Sequence, residues 1–219
     1  MNSKTAREIL GVIRVENQHR ADQLDDQDPD AAHDRWLFTD EPFINEMCLM
    51  VLAAVHHQVE RELVFLAARA NRGETITREQ YRLNVQQQRE LVRQRGGVEN
   101  LITTLNLSSA AAWEAMKALR LLANCVKHEP TQQPDERLLN HIGLPLKPEG
   151  NGVVGYLPLP ESYCFREGLA EYLNLSKDAD YCTIAERFVN LAEEFLNDVG
   201  QRNESARLTG KVSLSEYYC

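Results

Sequence analysis

Apolar residues recur at helical spacing from the start of the chain. Ser3 can accept from the free N–H groups of a first turn, and Ile9, Leu10, Ile13 and Leu24 follow it, which predicts a weakly amphipathic, peripheral helix over 3–24. The next stretch, DDQDPDAAHD, is acidic, interrupted by proline and short of apolar residues, so it reads as a solvated loop; Trp36, Leu37 and Phe38 offer it an anchor. Asp40, Glu41 and Pro42 then form a helix-start signature: a carboxylate at the cap, negative charge in the first turn, and a proline whose missing N–H costs nothing there. From Glu41 no breaker occurs before Gly73, and the run is apolar on most faces around Met47 to Val55. One long helix of about 30 residues at the centre of a bundle is expected.

A capping box at Thr77 and Gln80 opens a more polar helix that stops at Gly96 and Gly97. With few residues to bury, it reads as an exposed cover or arm. Ser108 or Ser109 is the expected cap of the next helix, SAAAWEAMKALRLLANCVKH, which Pro130 closes. Residues 129–160 hold six of the eight prolines and several glycines, too many for a helix, so a long ordered loop is expected there. Two helices follow, one opening at Pro160 and Glu161, the other capped by Asp178 or Asp180. In the second, Ile184, Phe188, Leu191, Phe195 and Val199 face the central helix. The pattern predicts an all-α bundle of about five or six helices with a long Pro/Gly-rich loop before the last two. Residues 1–200 form a single domain in this reading, with 1–39 as peripheral helix and acidic loop and 201–219 as a polar tail.

Composition narrows the class more than the activity. The chain of 219 residues is 43% hydrophobic, within the globular range. No stretch approaches the roughly 20 uncharged apolar residues of a bilayer span, and MNSKTAREIL lacks the layout of a signal peptide, so a soluble cytoplasmic protein with no membrane association is expected. Five scattered cysteines with no CxxC pair argue against a zinc ribbon or a disulfide framework, and most read as small buried hydrophobes. A net charge of -9 repels polyanions overall, so any contact with nucleic acid must come from a local cluster of cations. Phosphate-loop and nucleophile-elbow motifs are absent from the sequence.

The helix ending at His128 carries the most distinctive polar group. At about 100° per residue, Arg120, Asn124 and His128 step about 40° apart and line one face, with Lys127 beside them. An imidazole can pass a proton, a guanidinium can grip a phosphate with two prongs, and an amide can orient either. Such a set suits metal-free cleavage of a phosphodiester, in which a base activates the ribose 2′-hydroxyl and a cation steadies the phosphorane. A structural reading stands beside this one: Lys127 and His128 also sit where cations complement a helix dipole, and Asn124 can be a satisfied amide facing another helix.

A long apolar helix ending in HHQVERE, followed by a helix that closes on RLLANCVKH, resembles the HEPN superfamily of helical bundles. The resemblance implies a metal-independent endoribonuclease that works as a homodimer on RNA, often as a toxin or in antiviral defence. His128 would then be the general base or acid, Arg120 and Lys127 would hold the phosphate, and Asn124 would orient them. The motif departs from the family's shorter Arg–His spacing: seven residues separate Arg120 from His128, and Ala123 stands in the slot next to Asn124. The competing expectation is a catalytically silent module that binds a protein or small ligand through the same pocket.

Two further groups complete the candidates. His57 and Glu60 face the polar end of the long helix and are the expected partner surface for His128. Their His-x-x-Glu order reverses the Glu-x-x-His of di-metal bundles, so no metal and no cofactor are expected. Arg89 and Arg93, with Arg82 and Arg95, make the densest cationic stripe in the chain; it reads as a solvated face that can reach phosphate if it borders the site.

Overall fold

The structure is a computed structural model that describes residues 2–24, 29–72, 90, 105–127, 133–147 and 156–202, the side chains of 65 and 67–72 excepted. The readings made for His128, Arg89 and Arg93, for the helix over 77–97 and for the tail beyond 202 lie outside these residues. The described chain is all helical, as the periodicity requires: α1 (Ser3–Leu24), α2 (Pro29–Arg35), α3 (Glu41–Arg72), α4 (Trp113–Lys127), α5 (Glu136–Ile142), α6 (Tyr163–Tyr172) and α7 (Tyr181–Arg202). Five of these have ten residues or more. Among the described residues no strand occurs, and no helix is long and apolar enough to cross a membrane. Packing divides the chain into two units, one of residues 3–56 and 114–190 and one of residues 57–113 and 191–219.

In the first unit, Ala6, Leu10 and Ile13 of α1 are buried, and Arg7 Nη2 donates to Asn190 Oδ1 at 2.8 Å while Arg14 pairs with Glu186. The first half of α3 buries Ile44, Cys48, Leu49, Val51, Leu52 and Val55 but leaves Phe43, Met47 and Met50 exposed, so one face of the helix stays open. Ile184, Ala185, Phe188 and Val189 of α7 are sealed in the same core. Asp180 Oδ1 accepts from the Thr183 N–H at 2.7 Å, which is the cap expected from the sequence.

The expected start at Asp40 is overturned. Residues 29–35 are helical, and a π turn over Trp36–Asp40 carries the backbone straight into α3, with the Glu41 N–H donating to Trp36 O five residues back. Proline clashes with the carbonyl four residues before it, and a widened turn just upstream is a standard way to fit one inside a helix. Asp40 is then no cap. Only 1% exposed, it accepts from Arg20 Nη1 at 2.6 Å through Oδ1, and Arg35 Nε sits 3.1 Å from Oδ2. Two cations offset the desolvation of one carboxylate and fix α1 and α2 against the start of α3.

The loop expected over 129–160 also needs correction. It contains α5, which Asp135 caps by accepting from the Leu138 N–H at 2.8 Å and which Gly143 ends in the left-handed region at φ 77°. Pro134 and Pro145 flank this helix rather than interrupt it. The stretch around a 3-10 turn at Leu159–Glu161 is pinned by side chains that satisfy its carbonyls: Tyr181 to Leu159 O and Asn45 to Pro160 O, each at 2.8 Å. Glycine at 168 gives Leu144 room on α6; a Cβ there would come within 2.4 Å of the leucine.

In the second unit, Leu105, Leu107, Val59, Leu63, Val64, Phe195 and Val199 are buried, and Trp113 stacks on Phe195 with centroids 6.1 Å apart. Ser108 and Ser109 lie in a 3-10 turn and do not cap α4, another departure from expectation. Ala112, at φ 57°, interrupts the helical path, and Asp198 Oδ2 takes the Ala111 N–H at 2.8 Å. That bond, with Arg202 beside it, holds the Asp198 carboxyl below its ordinary range.

Candidate functional site

α4 is strongly two-faced. Met116, Ala118, Leu119, Leu122, Ala123 and Cys125 are buried, while Glu114, Arg120 and Lys127 are exposed and Lys117 and Asn124 lie between. On a helix of about 100° per residue, Arg120, Asn124 and Lys127 fall within an arc of roughly 60°. The structure therefore brings three of the expected site residues onto one solvent-facing strip. Ala123 is 0% exposed, so the position beside Asn124 points into the core. Arg120, one turn earlier, is the guanidinium that this helix presents to solvent.

The other candidates divide differently. His57 Nδ1 lies 3.4 Å from Glu60 Oε2 on the outer side of α3, in the second unit, whereas Arg120, Asn124 and Lys127 belong to the first. His56, next to His57, is buried, and so are Gln58 and Glu62, which hydrogen bond to each other across one turn. Among the described residues no three His, Cys, Asp or Glu side chains are grouped to hold a metal ion.

A histidine that sequence reasoning missed lies at the first turn of α4, outside the arc of Arg120, Asn124 and Lys127. His141, on α5, has Nε2 2.9 Å from the backbone carbonyl of Glu114, 3.3 Å from the Tyr172 hydroxyl and 3.8 Å from Glu114 Oε2. Lys117 Nζ in turn pairs with Glu114 at 2.6 Å. Burial, with the charge of Glu114 added, pushes the Tyr172 hydroxyl above its usual range. Six residues separate Glu114 from Arg120, about 9 Å of helix rise and about 120° around the axis, so the imidazole is held beside a different face of α4. The signal was present in the sequence as the Asp135 cap and the Gly143 stop; reading the prolines as a continuous loop concealed it.

α5 lies antiparallel to α4. His141, at its end, meets Glu114 at the start of α4, and Asp135, at its beginning, approaches Cys125 near the other end. Burial raises the Cys125 thiol above its ordinary value, so it is a packing group rather than a nucleophile. The strip then carries two cations and an amide, while His141 is held at the first turn of α4 on another face. It can bind an anion along α4.

A second polar cluster is satisfied internally. Tyr163 on α6 donates to Glu41, Arg166 Nη1 lies 3.4 Å from the same carboxylate, and the guanidinium covers the Tyr163 ring at 4.9 Å. Burial and the hydrogen bond to Glu41 push the Tyr163 hydroxyl up to about 12. These groups fasten the first turns of α3 and α6 together.

No family model matches this chain, and no curated protein or solved structure matches it.

Proposed function

We propose that the protein is a metal-independent endoribonuclease of the HEPN-like kind, with the α4 strip as its phosphate-binding surface. The observation that carries this reading is the exposure of Arg120 and Lys127 on either side of Asn124, on a helix whose other face is core. Arg120 and Lys127 hold the phosphate, and the Asn124 amide orients it. His128, the next residue along the chain, takes or returns the proton of the ribose 2′-hydroxyl. Attack of that oxygen on phosphorus breaks the bond to the 5′-oxygen and leaves a 2′,3′-cyclic phosphate, while the cations stabilise the charge that gathers on the phosphorane.

Purified protein incubated with mixed RNA and EDTA should generate fragments with cyclic phosphate ends and leave DNA, which has no 2′-hydroxyl, untouched. His128→Ala should lower the rate by about a hundredfold or more. Intact RNA with the wild-type protein sinks the proposal.

A second reading is favoured by Ala123. With that position closed off in the core, the arginine that the family resemblance expects beside Asn124 is missing, and the strip becomes a binding surface without chemistry. It predicts RNA that stays intact and an α4 surface that captures a protein or an anionic small ligand, lost in Arg120→Ala.

A further inference from the structure

The five cysteines showed no pairing pattern in the sequence, yet two of them meet in the core of the first unit. Cys48 is on α3 and Cys182 in the first turn of α7, 134 residues later, and their Sγ atoms lie 2.7 Å apart. Cys48 is 0% and Cys182 2% exposed. Unbonded sulfurs normally stay well beyond this separation and a disulfide spans about 2.05 Å, so the two helices hold the thiols closer than ordinary packing and within a short approach of a bond. Cys125 and Cys164 have no such partner among the described cysteines: Cys125 is packed near Asp135, and Cys164 is exposed on α6.

We propose that Cys48 and Cys182 form an intramolecular disulfide, a modification site that staples the long helix to the last one. The reaction with hydrogen peroxide balances in two steps. One thiol attacks the peroxide oxygen, giving a sulfenic acid and one water. The second thiol then displaces the hydroxyl group from that sulfur, forming the S–S bond and releasing a second water. Each thiol loses its proton, two electrons pass to the peroxide, and no other reductant or oxidant is needed. Both sulfurs are enclosed, and the contact with the Cys182 thiol, with burial added, holds the Cys48 proton tightly, so the reaction is slow in the closed protein. It proceeds when α7 loosens locally or before the core closes, and once formed the bond is shielded from reductants by the same packing. The pair also explains two small residues at a contact between two apolar helices: a larger side chain at either position would separate α3 from α7.

The test counts thiols. Reduced full-length protein, unfolded and alkylated, should take five labels, one per cysteine. After exposure to hydrogen peroxide and then alkylation, protein in which the pair has closed takes two fewer labels at these positions, and digestion releases the Cys48 and Cys182 peptides joined and two hydrogens lighter. The oxidised protein should also unfold at a higher temperature, a shift lost after reduction with dithiothreitol in denaturant and refolding, and absent in Cys182→Ser. Cys164 oxidised while the Cys48 and Cys182 peptides stay separate and alkylated would show that the oxidant worked and the pair did not, and would overturn the proposal. Linkage of either residue to a different cysteine overturns it equally. The wild-type protein alone decides the outcome, so a variant that failed to fold would not obscure it.

Discussion

Replacing Arg20 with alanine should destabilise the first unit more than replacing the carboxylate it binds, because the two partners differ in burial. Asp40 is 1% exposed, whereas the Arg20 and Arg35 side chains are 25% and 40% exposed. Arg20→Ala leaves the enclosed carboxylate with Arg35 as its remaining described cation, at a cost of about 2 kcal/mol for the lost charge-assisted bond. It also removes the Glu16 pair at 2.8 Å, worth about 0.3–0.5 kcal/mol, and the guanidinium 4.6 Å above the Phe43 ring, worth about 0.5 kcal/mol. The total is about 3 kcal/mol, or a fall in Tm of about 6–12 °C for a chain this size. Asp40→Asn keeps an acceptor in place and lets both arginines turn to water, so it should cost about 1 kcal/mol. In the double variant no charge remains stranded, and the loss should be about 2 kcal/mol, less than Arg20→Ala alone. Urea unfolding followed by circular dichroism measures all four proteins, provided their slopes agree. If Asp40→Asn costs as much as Arg20→Ala, or if the double loss equals the sum of the single ones, the carboxylate is not the buried partner that the geometry makes it.

Two other outcomes follow from single positions. Ala123→Arg, which would restore an arginine beside Asn124, should cost about 4 kcal/mol or more, because it forces a guanidinium into a sealed site; a Tm within a few degrees of wild type, read by differential scanning calorimetry, would refute this. Tyr163 bears on alkaline stability. Its folded pKa of about 12 lies above the unfolded value of about 10, so the folded protein favours the neutral phenol; that contribution is intact below about pH 10 and is lost as pH rises through about 12. Urea midpoints taken on both sides of that window should fall less steeply in Tyr163→Phe, and parallel falls would show that the hydroxyl does not titrate as described.

How far the sequence could be read depended on whether the deciding interaction was local. α1, α3 and α7 appear where periodicity places them, and Asp180 does cap α7, although α3 lacks the Asp40 cap expected for it. The α5 signals were equally local, an Asp135 cap and a Gly143 stop, but the six prolines of 129–160 outweighed them although each lies outside the helix. The π turn had only Pro42 as a local signal, and a proline fits the first turn of a new helix equally well. Whether Asp40 caps α3 or lies inside a continuous helix depends on Arg20 and Arg35 closing on its carboxylate, and Arg20 stands a full helix away.

The same distinction governs the candidate site. That Arg120, Asn124 and Lys127 share a face is a property of helix geometry and needed only the spacing of the residues. Which side of α4 reaches solvent, and that Ala123 does not, was decided by the layers packed against its other side. His141 reached the first turn of α4 only because α5 folds back along that helix, and Cys48 found Cys182 only because α3 and α7 share one core, 134 residues apart in the chain. Hydrophobic period and capping act within a few turns and are written in the sequence; ion pairs, thiol contacts and the burial of a small residue depend on distant segments meeting, which no local pattern specifies.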